Sequence, residues 1–250
     1  LVAAQVVLGV LEHFTPARAD WVQSPREKLA NAGLVVVFTA FAVVVTALYR
    51  GGLSEPLGEL RASLGLDLWP GSWPLAARVL LAFLASELVW YGIHRSEHRF
   101  AWLWRVSGHG VHHSFKRLNA LNFNANHPLE AFLILIPMTL LTLVFGVGEE
   151  AGAASLLVGV NASVVHSNLK LNTKGIGWLF TTNAYHFRHH SMIFEESNTN
   201  YGCAAIVWDR LFGSFAQGTT HELGIGPSEP RMWEKLLLPV RQPGDVTVAP

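Results

Sequence analysis

The sequence predicts an all-α integral membrane protein, with four or more transmembrane helices in hairpins and a cytosolic helical cap that carries clustered histidines. Three observations favour this fold class. Half of the 250 residues are hydrophobic and only 14% are charged, whereas roughly 25% of the residues in a soluble globular domain are charged. Several apolar runs approach or reach the ~20 residues that cross a bilayer as a helix. Eight of the twelve histidines fall into three windows of five residues.

Four apolar runs are predicted to cross the membrane, at 29–49, 75–93, 129–147 and 153–167. The first run has no charge, and the second carries Arg78 near one end and Glu87 within it. Pro137 in the third run predicts a kink, because proline removes a helical hydrogen bond. The short turn GEEAG joins the last two runs and makes them an antiparallel hairpin. Residues 1–14 are interpreted as the end of a further span.

The basic residues predict which side of the membrane carries the histidines. If all four runs cross, 15 of the 18 lysines and arginines lie on one side, in segments 15–28, 94–128 and 168–250. The side that is rich in Lys and Arg is usually cytoplasmic. The sequence therefore predicts a multi-pass protein whose histidine face is cytoplasmic, in a bacterial inner membrane or the endoplasmic reticulum.

Charge and cysteine content exclude several classes of function. Lys+Arg and Asp+Glu are equal at 18 each, so no net charge attracts nucleic acid. The single cysteine, Cys203, excludes an internal disulfide framework, a zinc ribbon and a cysteine-ligated cluster. It is interpreted as a small apolar packing residue.

The three histidine windows read HRSEH, HGVHH and HFRHH, and they contain His94, His98, His109, His112, His113, His186, His189 and His190. Positions i, i+3 and i+4 of a helix lie on one face. Each window is therefore predicted to present its imidazoles to one point. All three windows also lie on the same side of the membrane in the predicted topology, although a helical hairpin separates the second from the third.

This clustering predicts a metal centre. Packing many neutral imidazoles together, or charging them against one another, costs free energy unless a cation pairs with them. Imidazole suits zinc, copper, iron and nickel. A tetrahedral zinc ion uses four ligands, so eight clustered imidazoles indicate two metal ions, and open coordination positions would suit oxygen activation.

Residues near the windows are candidates for supporting roles. His166, at the end of the fourth run, is predicted as a ninth ligand, because ionisable groups at the membrane boundary are functional candidates. His127 is expected at a helix start or behind a ligand rather than on the metal. His13 and His221 are expected to have no site role. Candidates to orient the ligating imidazoles or line the substrate site, as such centres require, are Glu97, Asn126, Glu130, Asn168 and Asp209.

The three boxes, in the order HxxxH, HxxHH and HxxHH with a membrane hairpin between the last two, resemble the fatty acid hydroxylase and sterol desaturase superfamily of membrane di-iron oxygenases. The strings WYGIHRSEH, LWRVSGHGVHHS, NHPLE, HSNLKL and NTNYGCAAIVWDRLFGSF also sit where that superfamily carries similar strings. Together these boxes and strings extend over most of the chain.

The resemblance implies one membrane domain over 1–250, with a histidine-box core at about 75–218 and a C-terminal tail at 219–250. It implies two Fe²⁺ ions held by the eight box histidines and His166, although imidazole sites also accept zinc in a purified sample. It further implies O₂-dependent hydroxylation or desaturation of a lipid. Electrons would come from a cytochrome b5-, ferredoxin- or flavoprotein-type carrier, because the chain has no dinucleotide, haem-attachment or iron–sulfur motif.

Two other functions compete with this interpretation. HRSEH fits the HxxEH arrangement of zinc proteases, in which Glu97 would be the general base, but this leaves six clustered histidines unused. A membrane metal carrier would also use histidines. Its ligands should lie within the spans, whereas these windows lie at the cytoplasmic ends of the predicted spans.

Overall fold

The computed structural model describes residues 1–65 and 68–240, and this part of the chain is all-helical. The all-α prediction is thus confirmed for the described residues, where backbone pairing is limited to two isolated bridges, Pro16 with Leu169 and Ser191 with Leu223. The last ten residues of the predicted tail lie outside the described part. The helices are α1 Val2–Phe14, α2 Pro25–Ser63, α3 Leu75–Arg99, α4 Ala101–Ser107, α5 Gly110–His113, α6 Ala131–Ile134, α7 Ile136–Leu143, α8 Glu150–His166, α9 Asn183–His189, α10 Phe194–Ser197, α11 Val207–Phe212 and α12 Met232–Leu237.

Helices α2 and α3 are the two in the described part that are long and apolar enough to cross a membrane. Helix α2 begins at a capping box, in which the hydroxyl of Ser24 accepts a hydrogen bond from the backbone N–H of Glu27, and Pro25 occupies the first helical position. Both features favour a helix start. Helix α3 contains the second predicted span and continues through His94 and His98 to Arg99.

The third predicted span is not one continuous helix. A 3₁₀ turn at Pro128–Glu130 leads into α6, and the helix is interrupted at Leu135 before α7 begins at Ile136. The interruption lies two residues before Pro137, which has no backbone N–H and so cannot continue the hydrogen-bond ladder. The apolar stretch Pro128–Leu143 and the 17-residue α8 are both shorter than the ~20 residues of an upright span.

Helices α3 and α8 form the frame on which the site is built, and α3 packs against both α7 and α8. An ion pair joins their N-terminal regions, with Nη1 of Arg78 3.0 Å from Oε2 of the buried Glu150. The C-terminal parts of the two helices carry His94, His98 and His166. The frame therefore brings histidines from separate parts of the sequence to one end of a helix pair.

Glu87, the acidic residue inside the second predicted span, is explained by a backbone anchor. Its Oε2 accepts hydrogen bonds from the N–H groups of Ala204 and Ala205, at 2.7 and 3.0 Å. A buried carboxylate is tolerated when backbone donors satisfy it. The contact ties the middle of α3 to the segment that follows the third histidine window, next to an apolar cluster that includes Phe83 and Leu141.

Candidate metal centre

The structure brings all nine predicted ligand histidines together. Within each of two groups, every residue offers a ring nitrogen that lies within 4.8 Å of the others. The first group contains His94, His98, His109, His113 and His189, and the second contains His112, His166, His186 and His190. None of the nine side chains is more than 8% exposed. The chain thus places nine imidazoles in two adjoining, buried clusters.

The histidine windows divide between the two groups, so the prediction that each window points to one place is wrong for two of the three. In the second window His109 and His113 join the first group, while His112 joins the second. In the third window His189 joins the first group, whereas His186 and His190 join the second. The i and i+4 residues of each window stay together, because they are about 40° apart around a helix, and the residue between them turns to the neighbouring group.

Backbone carbonyls fix which ring nitrogen carries the proton in three of the histidines. The Nδ1 atom of His94 lies 2.6 Å from the carbonyl oxygen of Tyr201. His189 and His166 make the same contact, at 2.8 Å to the carbonyl of Thr199 and at 2.9 Å to the carbonyl of Ala162. Since a carbonyl oxygen only accepts, each Nδ1 donates and each Nε2 carries a lone pair.

The Nε2 atoms within each group lie close to one another. The Nε2 atoms of His94 and His189 are 3.0 Å apart, and Nε2 of His94 is also 3.0 Å from Nε2 of His109. In the second group, Nε2 of His186 lies 3.1 Å from Nε2 of His166 and 3.0 Å from Nε2 of His190. Ligands of a single ion with bonds of about 2.1 Å are roughly 3.0–3.4 Å apart. Both groups therefore have the donor type and the spacing of a metal site.

Burial keeps the imidazoles in the form that binds metal. Loss of hydration lowers the pKa of His112, His113, His186 and His190 well below the ordinary value, and neighbouring imidazoles lower each pKa further. A metal binds the neutral ring. The histidines thus stay neutral, and their lone pairs stay available, at physiological pH.

Two buried carboxyl groups lie on the far side of His109 from the other imidazoles. Oε1 of Glu130 is 2.7 Å from Nδ1 of His109, and Oε2 of Glu97 is 3.7 Å from the same atom. Carboxylates commonly accept the second ring N–H of a ligating histidine and fix its orientation. Glu130 is therefore in the position to orient His109, and Glu97 stands next to it.

Two other predicted supporting residues lie near the histidines, one directly and one through the backbone. Asn126 lines the cavity beside His112. Asp209 accepts hydrogen bonds from the N–H groups of Tyr201 and Gly202, at 2.8 and 2.7 Å, and so holds the turn whose carbonyl contacts His94.

Two further candidates contact backbone rather than ligand imidazoles. The side chain of Asn168 pairs with the backbone of Arg18, at 3.0 and 2.8 Å. His127 accepts the N–H of Leu129 at 3.1 Å, as a residue at a helix start does.

The sequence carries no signal for the carbonyl oxygens of Ala162, Thr199 and Tyr201 as partners of the imidazoles, because any residue type supplies a carbonyl. It also gave no signal for Trp90, whose ring stacks on His94 with centroids 5.3 Å apart. The sequence likewise did not indicate a role for Trp104, whose ring centroid lies 5.0 Å from that of His98.

A cavity of about 280 Å³ connects the histidines to the apolar helices. His94, His109, His112 and His186 contribute to its wall at one end. The remaining wall is mostly apolar and includes Leu135 on one side and Val158 on the other. The arrangement can hold an apolar molecule with a carbon close to the proposed metal sites.

Comparison with known proteins agrees with this chemistry. A model of the fatty acid hydroxylase family matches residues 79–214. The ornithine lipid hydroxylase OlsE of Rhizobium tropici is 28% identical over 84% of this chain and 63% of its own length. An alkylglycerol monooxygenase of Danio rerio is 29% identical over 61% of this chain and 35% of its own length. A lathosterol oxidase of Rattus norvegicus is 27% identical over 64% of this chain and 52% of its own length.

The chain spans less than two thirds of the length of each of these relatives. No solved structure matches it. The matched region contains all three histidine windows together with His166 and the segment that carries Tyr201 and Asp209. Because the family model covers more than half of the chain, this protein belongs to the fatty acid hydroxylase family.

Proposed function

We propose that this protein is a membrane-bound di-iron oxygenase that hydroxylates or desaturates a lipid, with O₂ and electrons from an external carrier. The observation that carries the proposal is the meeting of imidazole lone pairs, above all the 3.0 Å between Nε2 of His94 and Nε2 of His189. Both rings donate their Nδ1 protons to carbonyls, so no proton is available between them. A cation between the rings removes this repulsion.

The proposed ligand sets follow the two groups. One Fe²⁺ ion would be held by His94, His98, His109, His113 and His189, and the other by His112, His166, His186 and His190. Zinc would also bind in a purified sample, because imidazole accepts both metals. When bound, two iron ions supply O₂ activation and removal of hydrogen from an unactivated carbon. All other contributions come from the chain itself.

The chain contributes orientation and exclusion of water. The carbonyls of Tyr201, Thr199 and Ala162 hold three imidazoles with Nε2 facing inward. Burial of the nine histidines keeps bulk water from the proposed ions, and the mostly apolar cavity would bind an apolar substrate next to them. A substrate carbon held about 3–3.5 Å from the reacting group is the geometry that such a reaction requires. The choice between an alcohol and an alkene product depends on this positioning.

The names of the relatives support a lipid as substrate. They are an ornithine lipid hydroxylase, an alkylglycerol monooxygenase and a lathosterol oxidase. These names have in common a molecule with a large apolar part, which suits the cavity. The electron donor is proposed to be a cytochrome b5-, ferredoxin- or flavoprotein-type carrier, because the sequence carries no motif for such a cofactor.

We further propose the topology that the sequence predicts. Four or more helices would cross the bilayer in hairpins within a single domain over 1–250, and the histidine-box core would occupy about 75–218. The histidine-bearing cap would face the cytoplasm, in a bacterial inner membrane or the endoplasmic reticulum, because 15 of the 18 lysines and arginines lie on that side of the predicted topology and the side rich in these residues is usually cytoplasmic.

The competing functions gain no support from the site. In the protease interpretation His94 and His98 would bind zinc with water alongside, but both lie in a group of five buried histidines. Glu97 lies behind His109 rather than on the cavity wall. For a metal carrier, the histidines should follow a path along the helices, whereas they form two compact clusters.

The test is mass spectrometry of the lipids of a host with and without this gene. We expect one lipid class to gain one oxygen or lose two hydrogens when the gene is expressed in air. The change should vanish without O₂ and in the variant His189→Ala. An unchanged lipid profile in cells that contain folded, iron-loaded protein and a competent reductase would exclude the proposed activity.

A further inference from the structure

Helix α8 contributes Val158 and three small residues to the wall of the cavity beside the histidines. The small residues Ser155, Gly159 and Ala162, together with His166, are spaced by four, three and four residues, which places them on one helix face. The carbonyl of Ala162 accepts the Nδ1 proton of His166. The small-residue face thus leads directly into the second histidine group.

Gly159 occupies the critical position on this face. It lies seven residues before His166, or about 10 Å along the helix axis. A Cβ atom at this position would lie 3.2 and 3.3 Å from the two methyl carbons of Leu1, which also lines the cavity. Any larger side chain must therefore displace Leu1 or extend into the cavity. Space in the part of the cavity next to Leu1 therefore depends on the absence of a side chain at residue 159.

The size of the cavity indicates a slender ligand. Its volume of about 280 Å³ is at the small end of the ~300–1,000 Å³ typical of sites for drug-sized molecules. The rest of the wall includes Trp90, Ile134 and Met138. An unbranched alkyl chain that lies along α8, with one carbon at the histidines, suits a space of this volume and polarity.

We propose that Gly159 is a specificity-determining residue, which sets the length of unbranched alkyl chain that the cavity accepts between the histidines and its outer end near Ser155. This inference rests on the proposed function, because it assumes that the cavity receives the lipid substrate. It adds the position in the chain that limits the length of the bound hydrocarbon.

The test is a binding experiment on the zinc-loaded full-length chain in detergent, which requires no turnover. A series of straight-chain fatty alcohols of increasing length would compete with one radiolabelled alcohol. In the wild type we expect affinity to rise about fourfold per added methylene, as buried hydrocarbon predicts, and then to reach a plateau. In Gly159→Leu the plateau should come at a shorter chain, and the longest alcohols should bind at least tenfold more weakly.

Two variants make the result unambiguous. Gly152→Leu is the matched control, because residue 152 is a glycine of the same helix with nothing within 4 Å of an added Cβ, and it should bind like the wild type. Gly159→Ala adds one methyl group and should shift the plateau in the same direction by less, even if Gly159→Leu fails to fold. Retained zinc content reports folding in each case.

The inference would be overturned if affinity changed with alcohol length in the same way, with the plateau at the same length, in the wild type and both residue-159 variants. It would also be overturned if the affinity of the wild type did not depend on alcohol length. The proposed oxidation is judged separately, by the lipid analysis of expressing cells. Length-dependent binding without oxidation would leave the chain-binding site standing and reject the activity. Lipid oxidation in cells, together with unchanged alcohol binding in the residue-159 variants, would support the activity and reject the role of Gly159.

Discussion

The imidazole of His109 is held between a carboxyl group and another histidine, with Nδ1 2.7 Å from Oε1 of Glu130 and Nε2 3.0 Å from Nε2 of His94. Both glutamate and histidine are buried. The contact with Glu130 therefore fixes the orientation of the His109 ring. Groups that orient a ligating histidine in this way typically change metal affinity by 10–100-fold when they are removed.

Replacing Glu130 is predicted to weaken metal binding at the first histidine group. Glu130→Ala should lower zinc affinity by roughly tenfold or more, and Glu130→Gln should lower it less because the amide oxygen still accepts the N–H of His109. Competition with a chelator measures this affinity. Glu149→Gln, at a glutamate whose side chain is 75% exposed, is the control. If all three variants bound zinc as tightly as the wild type, Glu130 would have no role in orienting His109 for metal binding.

Two neighbouring histidines are predicted to affect different ions. His112 belongs to the group of four histidines, and His113 belongs to the group of five. His112→Ala leaves three imidazoles at its site, one fewer than a closed tetrahedral site uses, so we expect dialysis against a weak chelator to reduce the zinc content from two ions per chain toward one. His113→Ala leaves four imidazoles, enough for a tetrahedral ion, so we expect it to keep nearly two ions under the same dialysis.

Elemental analysis of the purified variants gives the zinc content. His221→Ala, at an exposed histidine outside both groups, should retain two ions. Equal losses in His112→Ala and His113→Ala would contradict the division of this window between two sites.

Stability of the metal-free protein is predicted to fall in acid. Burial lowers the pKa of His112, His113, His186 and His190 below the value of 6.5 that an exposed imidazole has. Above pH 6.5 the rings are neutral in both the folded and the unfolded chain, so they do not change the free energy of unfolding. Below it the unfolded chain takes up protons that the folded chain excludes, so the free energy of unfolding decreases with falling pH.

Thermal unfolding between about pH 8 and pH 5 checks this prediction. The midpoint of the metal-free protein should be level at the alkaline end and fall progressively below about pH 6.5. Bound zinc should raise the midpoint most at neutral and alkaline pH, because protons compete with the metal for the same nitrogens. A midpoint that stays constant down to pH 5 would mean that these rings are not held neutral by burial.

Much of the site could be predicted because helix periodicity places histidines four residues apart on one face. His109 with His113, and His186 with His190, behave in this way. The division of the second and third windows could not be predicted, because it depends on tertiary contacts between them, such as the stacking of the His113 ring on the His190 ring with centroids 4.3 Å apart. The role of the Tyr201 and Thr199 carbonyls was also hidden, since backbone oxygens leave no mark in a sequence.

The fold shows the same limit. Hydropathy correctly predicted helices in the apolar runs, and α2 and α3 have the length to cross a membrane. The run at 129–147 was predicted as one kinked span, but it divides at Leu135 into two short helices. Pro137 indicates that the helix is interrupted. The residue at which the interruption falls depends on which backbone carbonyls accept hydrogen bonds from other N–H groups. The N–H of Leu135 contacts the carbonyls of both Ala131 and Leu133, a local choice that tertiary packing decides.

The last prediction concerns Asp209, which is linked to the histidine clusters through the backbone of Tyr201. Its carboxylate accepts the N–H groups of Tyr201 and Gly202 and, at 2.6 Å, the hydroxyl of Ser214. Asp209→Asn places an amide N–H₂ where one of these donors points. We expect the free energy of unfolding to fall by about 1–3 kcal/mol, the usual penalty for an unsatisfied buried polar group.

The same variant should also weaken zinc binding. Asp209 holds the backbone of Tyr201 in place, and the Tyr201 carbonyl accepts the hydrogen bond from Nδ1 of His94. Ser214→Ala is the matched comparison, since it removes one of the three donors and leaves both backbone contacts. It should cost less stability and leave zinc affinity close to the wild type. If both variants lost stability equally and neither changed zinc affinity, Asp209 would be an anchor of the turn alone. A selective loss of zinc in Asp209→Asn instead requires that the turn at Tyr201 positions His94.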